Sequence, residues 1–429
     1  MTENCTVQLH INGAWHDVAG VSRFGPQEDG WKAKTSSGYA VDWAVEHAGA
    51  NDAHGLCASW PVGFEPLEEP HWPVFLIDLL PQGFGRQELL RRIGVPPAAG
   101  LGADWRLLLA GAGNAIGNLR VKEAADWLAG NASPLYGFTD DEVAQRGDVF
   151  SEHLASHGLF IAGSSGVQGE WPKILLTRAD DGLLYLDHTL PDDRATVHFI
   201  VKFGRGTDSR LASILRHEAP YMAIARHLGL RVHASLVLNQ RALFIPRFDR
   251  VAGANGAVVR LGQESIATLT GMPGFDAVPS HDQVCTALVR YCTDPQAEVL
   301  EYLKRDVANL ALLNTDNHAR NTAVQRNFDG RIALTPLFDF APMYLHPDGI
   351  ARRIRWEDND YGRVDWDRVL TSVASLGVAR PLLVTGLKAM EAPLRQIAAD
   401  GEILGLEPDV IDHLRPHVLA MADQLSALA

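Results

Sequence analysis

Cysteine is scarce in this chain, with four in 429 residues, at positions 5, 57, 285 and 292. None stands in the paired C-x-x-C spacing of a metal site, so nothing asks for disulfides or zinc, and Cys285 and Cys292 fall on one helix face as ordinary buried thiols. Cationic residues are also few, 38 Lys and Arg against 52 Asp and Glu, for a formal net charge of -14. That balance excludes a broad attraction to nucleic acid or to an anionic membrane. It leaves local patches such as Ala351-Arg352-Arg353-Ile354-Arg355, a kind of run that is usually a solvated face. No apolar run reaches the roughly 18 residues a membrane helix needs, and Met1 to Val7 lacks the basic and apolar regions of a signal peptide. A cytoplasmic location is expected. Internal repeats and low-complexity tracts are missing as well.

What the chain does have is apolar content, 46% of its residues, and enough length for two or three domains with real cores. Thr6 to Trp15 reads as a strand and turn, Gly38 to Trp43 as another strand, Phe75 to Ile93 and Trp105 to Ala112 as helices, and Asn118 to Val121 as a strand. Loop-like composition around Gly130 to Pro134 marks a boundary, giving a small α/β unit over 1–130. Strand signals then cluster at Lys173 to Thr177, Leu183 to Leu186, Val197 to Phe203, Ala234 to Leu238 and Ala242 to Ile245. A helix from about Ser209 to Leu228 crosses them. This second unit spans 131–250, and 251–429 reads as a mainly helical third.

The densest chemistry lies in the third unit, in Asn314-Thr315-Asp316-Asn317-His318-Ala319-Arg320-Asn321, followed eighteen residues later by Asp339. Leu303, Val307, Leu310 and Leu313 recur at helical spacing before it, so a helix delivers Asp316 onto a loop. Thr322 to Gln325 and Arg331 to Thr335 read as two short strands about an Asn327-Phe-Asp-Gly330 turn, which would bring Asp339 back to face Asn321. An Asp, an Asn five positions on and a second Asp is the set that phosphoryl transfer from ATP needs. One carboxylate orients the attacking hydroxyl, while an amide oxygen and another carboxylate hold magnesium. A D-x-x-x-x-N run alone is more often a turn and a cap. Leu337-Phe338-Asp339-Phe340 adds weight, because a carboxylate in an apolar frame is costly without a cation.

Other parts of such a site have candidates. Gly163-Ser164-Ser165-Gly166-Val167-Gln168-Gly169 offers small residues whose amides approach phosphate oxygens, although Gly and Ser between strands most often mark a plain turn. Lys202, inside the apolar strand Val197 to Phe203, is a candidate phosphate cation or a lysine pointing to solvent. Glu218, on the crossing helix, is placed either to pair with Lys202 or to face water. Phe244 to Arg250 is an extended link between lobes whose backbone at Ile245, Arg247 and Phe248 is a place for an adenine ring. The Arg247, Asp249 and Arg250 side chains read better as an ion-pair network tying the lobes.

These residues resemble the HipA family of toxin kinases in Leu79-Leu-Pro-Gln82, Gly113 to Leu119, Gly166-Val-Gln168, His198 to Lys202, Glu218 with His227-Leu-Gly229, Arg247 to Arg250, Thr315 to Asn321 and Leu334 to Asp339. The resemblance covers most of the chain. It implies an α+β, two-lobed protein-kinase-like fold, with an antiparallel sheet in a mixed N-terminal lobe and a mainly helical C-terminal lobe. It implies Asp316 as the catalytic Asp, Asn321 and Asp339 as magnesium ligands, Lys202 as the ATP-phosphate lysine and His318 packed within the catalytic loop. ATP and Mg2+ are the implied cofactors. The implied activity is phosphorylation of a serine in an aminoacyl-tRNA synthetase, and the implied partner is a small DNA-binding antitoxin (HipB-like), so that DNA is met only through it. Ser165 matches a family autophosphorylation serine, with Ser164 in reserve, and a phosphate there would compete with ATP for the loop amides. Two other readings stand beside this one: a small-molecule kinase on the same lobes, and a non-catalytic nucleotide-binding regulator.

Overall fold

The computed structural model describes residues 2–130, 134–156, 171–253, 257–276, 278–357 and 363–429. The loop carrying Ser164, Ser165, Gly166, Val167 and Gln168 lies outside them.

An N-terminal antiparallel sheet has the order β4-β3-β2-β1-β5, from β1 Thr2–Ile11, β2 Ala14–Phe24, β3 Thr35–Tyr39, β4 Leu67–Glu69 and β5 Leu119–Val121. β1 and β2 meet through Asn12-Gly13, both at positive φ, the pair a two-residue hairpin turn requires. Val7, Leu9, Val21 and Trp72 are fully or almost fully buried beneath this sheet. Two sequence expectations are corrected here. Gly38 to Trp43 is not one strand, because β3 ends at Tyr39 and a helix runs Val41–His47; Asp42 in its first turn suits the positive end of a helix dipole. Phe75 to Ile93 is two helices, Val74–Ile77 and Gly83–Arg92, because Pro81 and the positive φ of Gly83 interrupt it.

His10 of β1 is buried, with Nε2 3.8 Å from Asp192 Oδ2. Burial, aided by Arg260, Arg250 and Arg120, pushes its imidazole down to about 3 from 6.5. An unfolded imidazole takes up its proton near 6.5 while the folded one resists until about 3. His10 therefore favours the folded state above 6.5, and that contribution is lost as the pH falls from 6.5 towards 3. Denaturant midpoints should fall over that window, and His10→Gln should flatten the slope. An unchanged slope in the variant would exclude His10 as its source.

The second antiparallel sheet has the order β7-β6-β8-β10-β9, from β6 Lys173–Ala179, β7 Leu184–Leu186, β8 Ala195–Phe203, β9 Val237–Asn239 and β10 Ala242–Pro246. The expected strand Ala234 to Leu238 shrinks to β9. Between β8 and β9 runs the helix Ser209–His227, started by Asp208, whose side chain accepts the Arg210 N–H. Its buried residues Tyr221, Met222, Ile224 and Ala225 belong to the helical core below, while Ile214 and Leu215 pack with Leu243 of β10. The helix thus fastens the sheet to the helical lobe.

After a short hairpin of β11 Arg250–Ala252 and β12 Val258–Arg260, a third sheet of β13 Gly262–Ser265, β14 Ala323–Arg326 and β15 Ile332–Leu334 lies within the helical lobe. β14 and β15 form the hairpin expected around Asn327 to Gly330. The large core of this lobe is built on the helices His281–Tyr291, Pro295–Ala311 and Pro408–Ser426. No helix among the described residues is long and apolar enough to cross a membrane.

Candidate active site

Lys202 sits in β8, flanked by β6 and β10, and only 3% of it is exposed. A buried ammonium is costly unless it is paired. Its Nζ donates to Glu218 Oε2 at 2.6 Å and to Asp339 Oδ1 at 2.7 Å, and it lies 5.6 Å from the centre of the Trp171 ring. Directly across the register stands Lys173 of β6, with Nζ 3.6 Å from Asp339 Oδ2. Two lysines therefore converge on one carboxylate. Burial alone would raise the Asp339 carboxyl, but Lys173 and Lys202 outweigh it and hold the group well below the usual range. Burial likewise opposes the charge on Lys202, and the carboxylates of Asp339 and Glu218 overcome it and raise the group. Lys173, with a weaker partner, is lowered by burial.

The Asp316 loop is formed where the Pro295–Ala311 helix ends. Leu313 takes a positive φ of 52°, which no helix accommodates, and Asn314 bonds back to the carbonyl of Asn309. Asn317 then locks the loop to the segment around Arg353 and Ile354: its Nδ2 donates to the Ile354 carbonyl at 2.8 Å and its Oδ1 accepts the Arg353 N–H at 2.7 Å. Asn321 donates its N–H to the His318 carbonyl and its Nδ2 to the Asp316 carbonyl, at 2.9 and 2.8 Å. That leaves Asn321 Oδ1, a hard oxygen, for a cation. His318 Nδ1 accepts the Arg320 N–H at 3.2 Å, so the ring proton sits on Nε2, 3.7 Å from Asp316 Oδ1. Burial lowers this imidazole below its ordinary value, which favours a neutral ring set beside Asp316 without adding charge.

The β14–β15 hairpin returns the chain to Asp339, whose φ of 51° is a left-handed conformation that a non-glycine residue adopts at a cost. Asp316, Asn321 and Asp339 line one small cavity together. Asn321 and Asp339 also line a larger one, about 140 Å³, with Lys173 and Glu218 among its polar residues and Ile200, Ile245, Phe248 and Phe338 among its apolar ones. An amphipathic cleft of this kind suits a flat heterocycle carrying phosphates.

The link residues Ile245 to Asp249 all line the cavity, with Phe248 6.0 Å from Phe338. The Arg247 side chain is fully buried and committed elsewhere, to Asp249 at 2.7 Å and to Asp187 at 3.2 Å, and its N–H goes to the His198 carbonyl. The side chain thus sits in the ion-pair network that the sequence favoured for it. Asp249 in turn accepts from Arg250 and from the Gly117 amide of the N-terminal unit, so the network ties three parts of the chain. Sequence reasoning left Lys173 unassigned. A lysine opening an apolar strand was the signal, but only the β6–β8 register reveals its partner.

A model described as the HipA-like C-terminal domain matches residues 165–399, more than half of the chain. The chain belongs to the HipA-like family. Along nearly its whole length it is also similar to the putative kinase Y4mE of Sinorhizobium fredii (strain NBRC 101917 / NGR234), at 25% identity over 404 residues, 89% of this chain and 92% of that protein. Among solved structures it matches the Shewanella oneidensis MR-1 toxin–antitoxin complex of HipA, HipB and operator DNA, with a TM-score of 0.67 at 20% identity over 99% of this chain and 98% of the other. The fold is thus the α+β, HipA-like one.

Proposed function

We propose that this protein is the toxin of a toxin–antitoxin pair and a serine/threonine-protein kinase that takes phosphate from ATP with magnesium. The observation that carries this reading is the convergence of Lys202 and Lys173 on Asp339, with Glu218 paired to Lys202, on a cleft shared with Asn321 and opening beside Asp316. Lys202 and Lys173 supply positive charge where phosphates would lie. Asp316, with His318 beside it, accepts the hydroxyl proton and aims the nucleophile. The oxygens of Asn321 and Asp339 are the donor type that magnesium prefers. Bound there, magnesium would neutralise charge on the phosphates during transfer. Ser165, or Ser164 beside it, is the proposed site of self-phosphorylation, and an aminoacyl-tRNA synthetase the proposed class of target. A HipB-like antitoxin is the proposed partner, from the complex solved for the Shewanella protein, with DNA reached through it. A cytoplasmic location fits all of these.

Trp171 beside Lys202 provides a direct test through its fluorescence on ATP binding. Binding should strengthen with magnesium, and Asp339→Asn should remove that enhancement while ATP alone still binds. Equal binding with and without magnesium in the unmodified protein would sink the metal assignment. Turnover on sugars or antibiotics with no labelled protein would redirect the reading to a small-molecule kinase.

A further inference from the structure

The residue next to Asn321 is held by the N-terminal unit. Arg320 is 8% exposed; its Nε donates to Asp78 Oδ1 at 2.9 Å and its Nη1 to the Gly274 carbonyl at 2.8 Å. Asp78 follows the Val74–Ile77 helix directly, and its other oxygen accepts Thr268 Oγ1 at 2.6 Å and the Ser265 N–H at 3.3 Å. Gly274 is confined to glycine twice over: its φ is +91°, and a Cβ there would meet the Trp31 ring at 2.7 Å. Trp31 packs edge-on to Phe275, over which the Arg320 guanidinium lies at 5.5 Å. An apolar contact runs in parallel, since Val74 shares a buried cluster with Ala319 of the loop, Ala267 and Ile354. Both Asp78 and Arg320 line the larger cavity.

We infer that Asp78 is a positioning residue for phosphoryl transfer: through Arg320, the N-terminal domain sets the geometry of the Asp316 to Asn321 loop. The inference rests on the phosphotransfer reading above. Removing the Asp78 charge leaves a buried guanidinium with the Gly274 carbonyl and the Phe275 ring but no carboxylate facing its Nε, so the Arg320 backbone, which also donates to His318 Nδ1, is freed to shift. Displacing His318 and Asn321 moves the groups that stand beside Asp316 and hold the cation. ATP is gripped mainly by Lys202, Lys173 and the apolar cleft, so rate suffers more than nucleotide affinity.

The test compares Asp78→Asn and Arg320→Lys with the unmodified full chain in phosphate transfer from labelled ATP, thermal melting and amide exchange over 314–322. For Asp78→Asn the transfer rate should fall on the order of tenfold to a hundredfold, while KM for ATP stays within about twofold. Melting should fall by a few degrees with the fold retained at the assay temperature, the cost of a broken, largely buried pair, and exchange over 314–322 should quicken. Arg320→Lys keeps a cation facing Asp78 and should retain more rate than Asp78→Asn. An unchanged rate overturns the inference, as does a rate loss matched by a rise in KM or by a collapse of melting, either of which marks a merely structural contact. If the unmodified protein transfers no phosphate, the phosphotransfer reading fails by itself. Exchange then decides on the clamp alone: faster exchange in Asp78→Asn supports it and unchanged exchange refutes it.

Discussion

Asp316→Asn should cut phosphate transfer by about a hundredfold to ten-thousandfold, the range lost when a positioned proton acceptor is removed. The substitution keeps the size of the side chain and removes the carboxylate. The surrounding bonds do not depend on that charge: Asn321 reaches the Asp316 carbonyl, and Asn317 holds Arg353 and Ile354. Folding should therefore be preserved, and ATP binding with it, because the lysine and apolar walls of the cleft are untouched. Single-turnover transfer beside a melting curve separates the two effects. A variant that keeps the full rate removes Asp316 from the chemistry.

Lys202→Met is expected to damage both rate and stability. It strips Glu218, buried to 1% exposure, of its ion-pair partner at 2.6 Å, and leaves Asp339 to Lys173 at 3.6 Å. Breaking a buried pair from one side costs about 3–5 kcal/mol, since the remaining charge has neither water nor partner. Adding Glu218→Gln should recover much of the stability and none of the transfer, because the orphaned charge is gone while the phosphate cation is still missing. Urea unfolding of the single and double variants reads this directly. A single variant as stable as the original would mean that the Lys202 to Glu218 pair contributes nothing to the fold.

Local signals were legible in the chain and non-local ones were not. The Ser209–His227 helix and the β14–β15 hairpin follow from periodicity and turn chemistry carried within a few residues. For Glu218 the sequence left a pair with Lys202 and an exposed position equally open, and the 2.6 Å contact decides for the pair. Lys173 escaped because its meaning depends on strand register: only the pairing of Lys173 with Lys202 brings both to Asp339. Gly38 to Trp43 was misread because Tyr39 is fixed by distant partners, its hydroxyl accepting the Leu56 N–H and donating to the Trp60 carbonyl, while the residues beyond it turn into a helix. The Asp78 to Arg320 contact spans 242 positions and leaves no local trace.

Incubating the purified protein with magnesium and ATP labelled on its γ-phosphate, together with a cell extract, tests the kinase reading most directly when the Asp316→Asn variant is run beside it. The expected result is label on the protein itself and on a discrete target band, both absent from the variant. Label on no protein at all, or equal label with the variant, would contradict it.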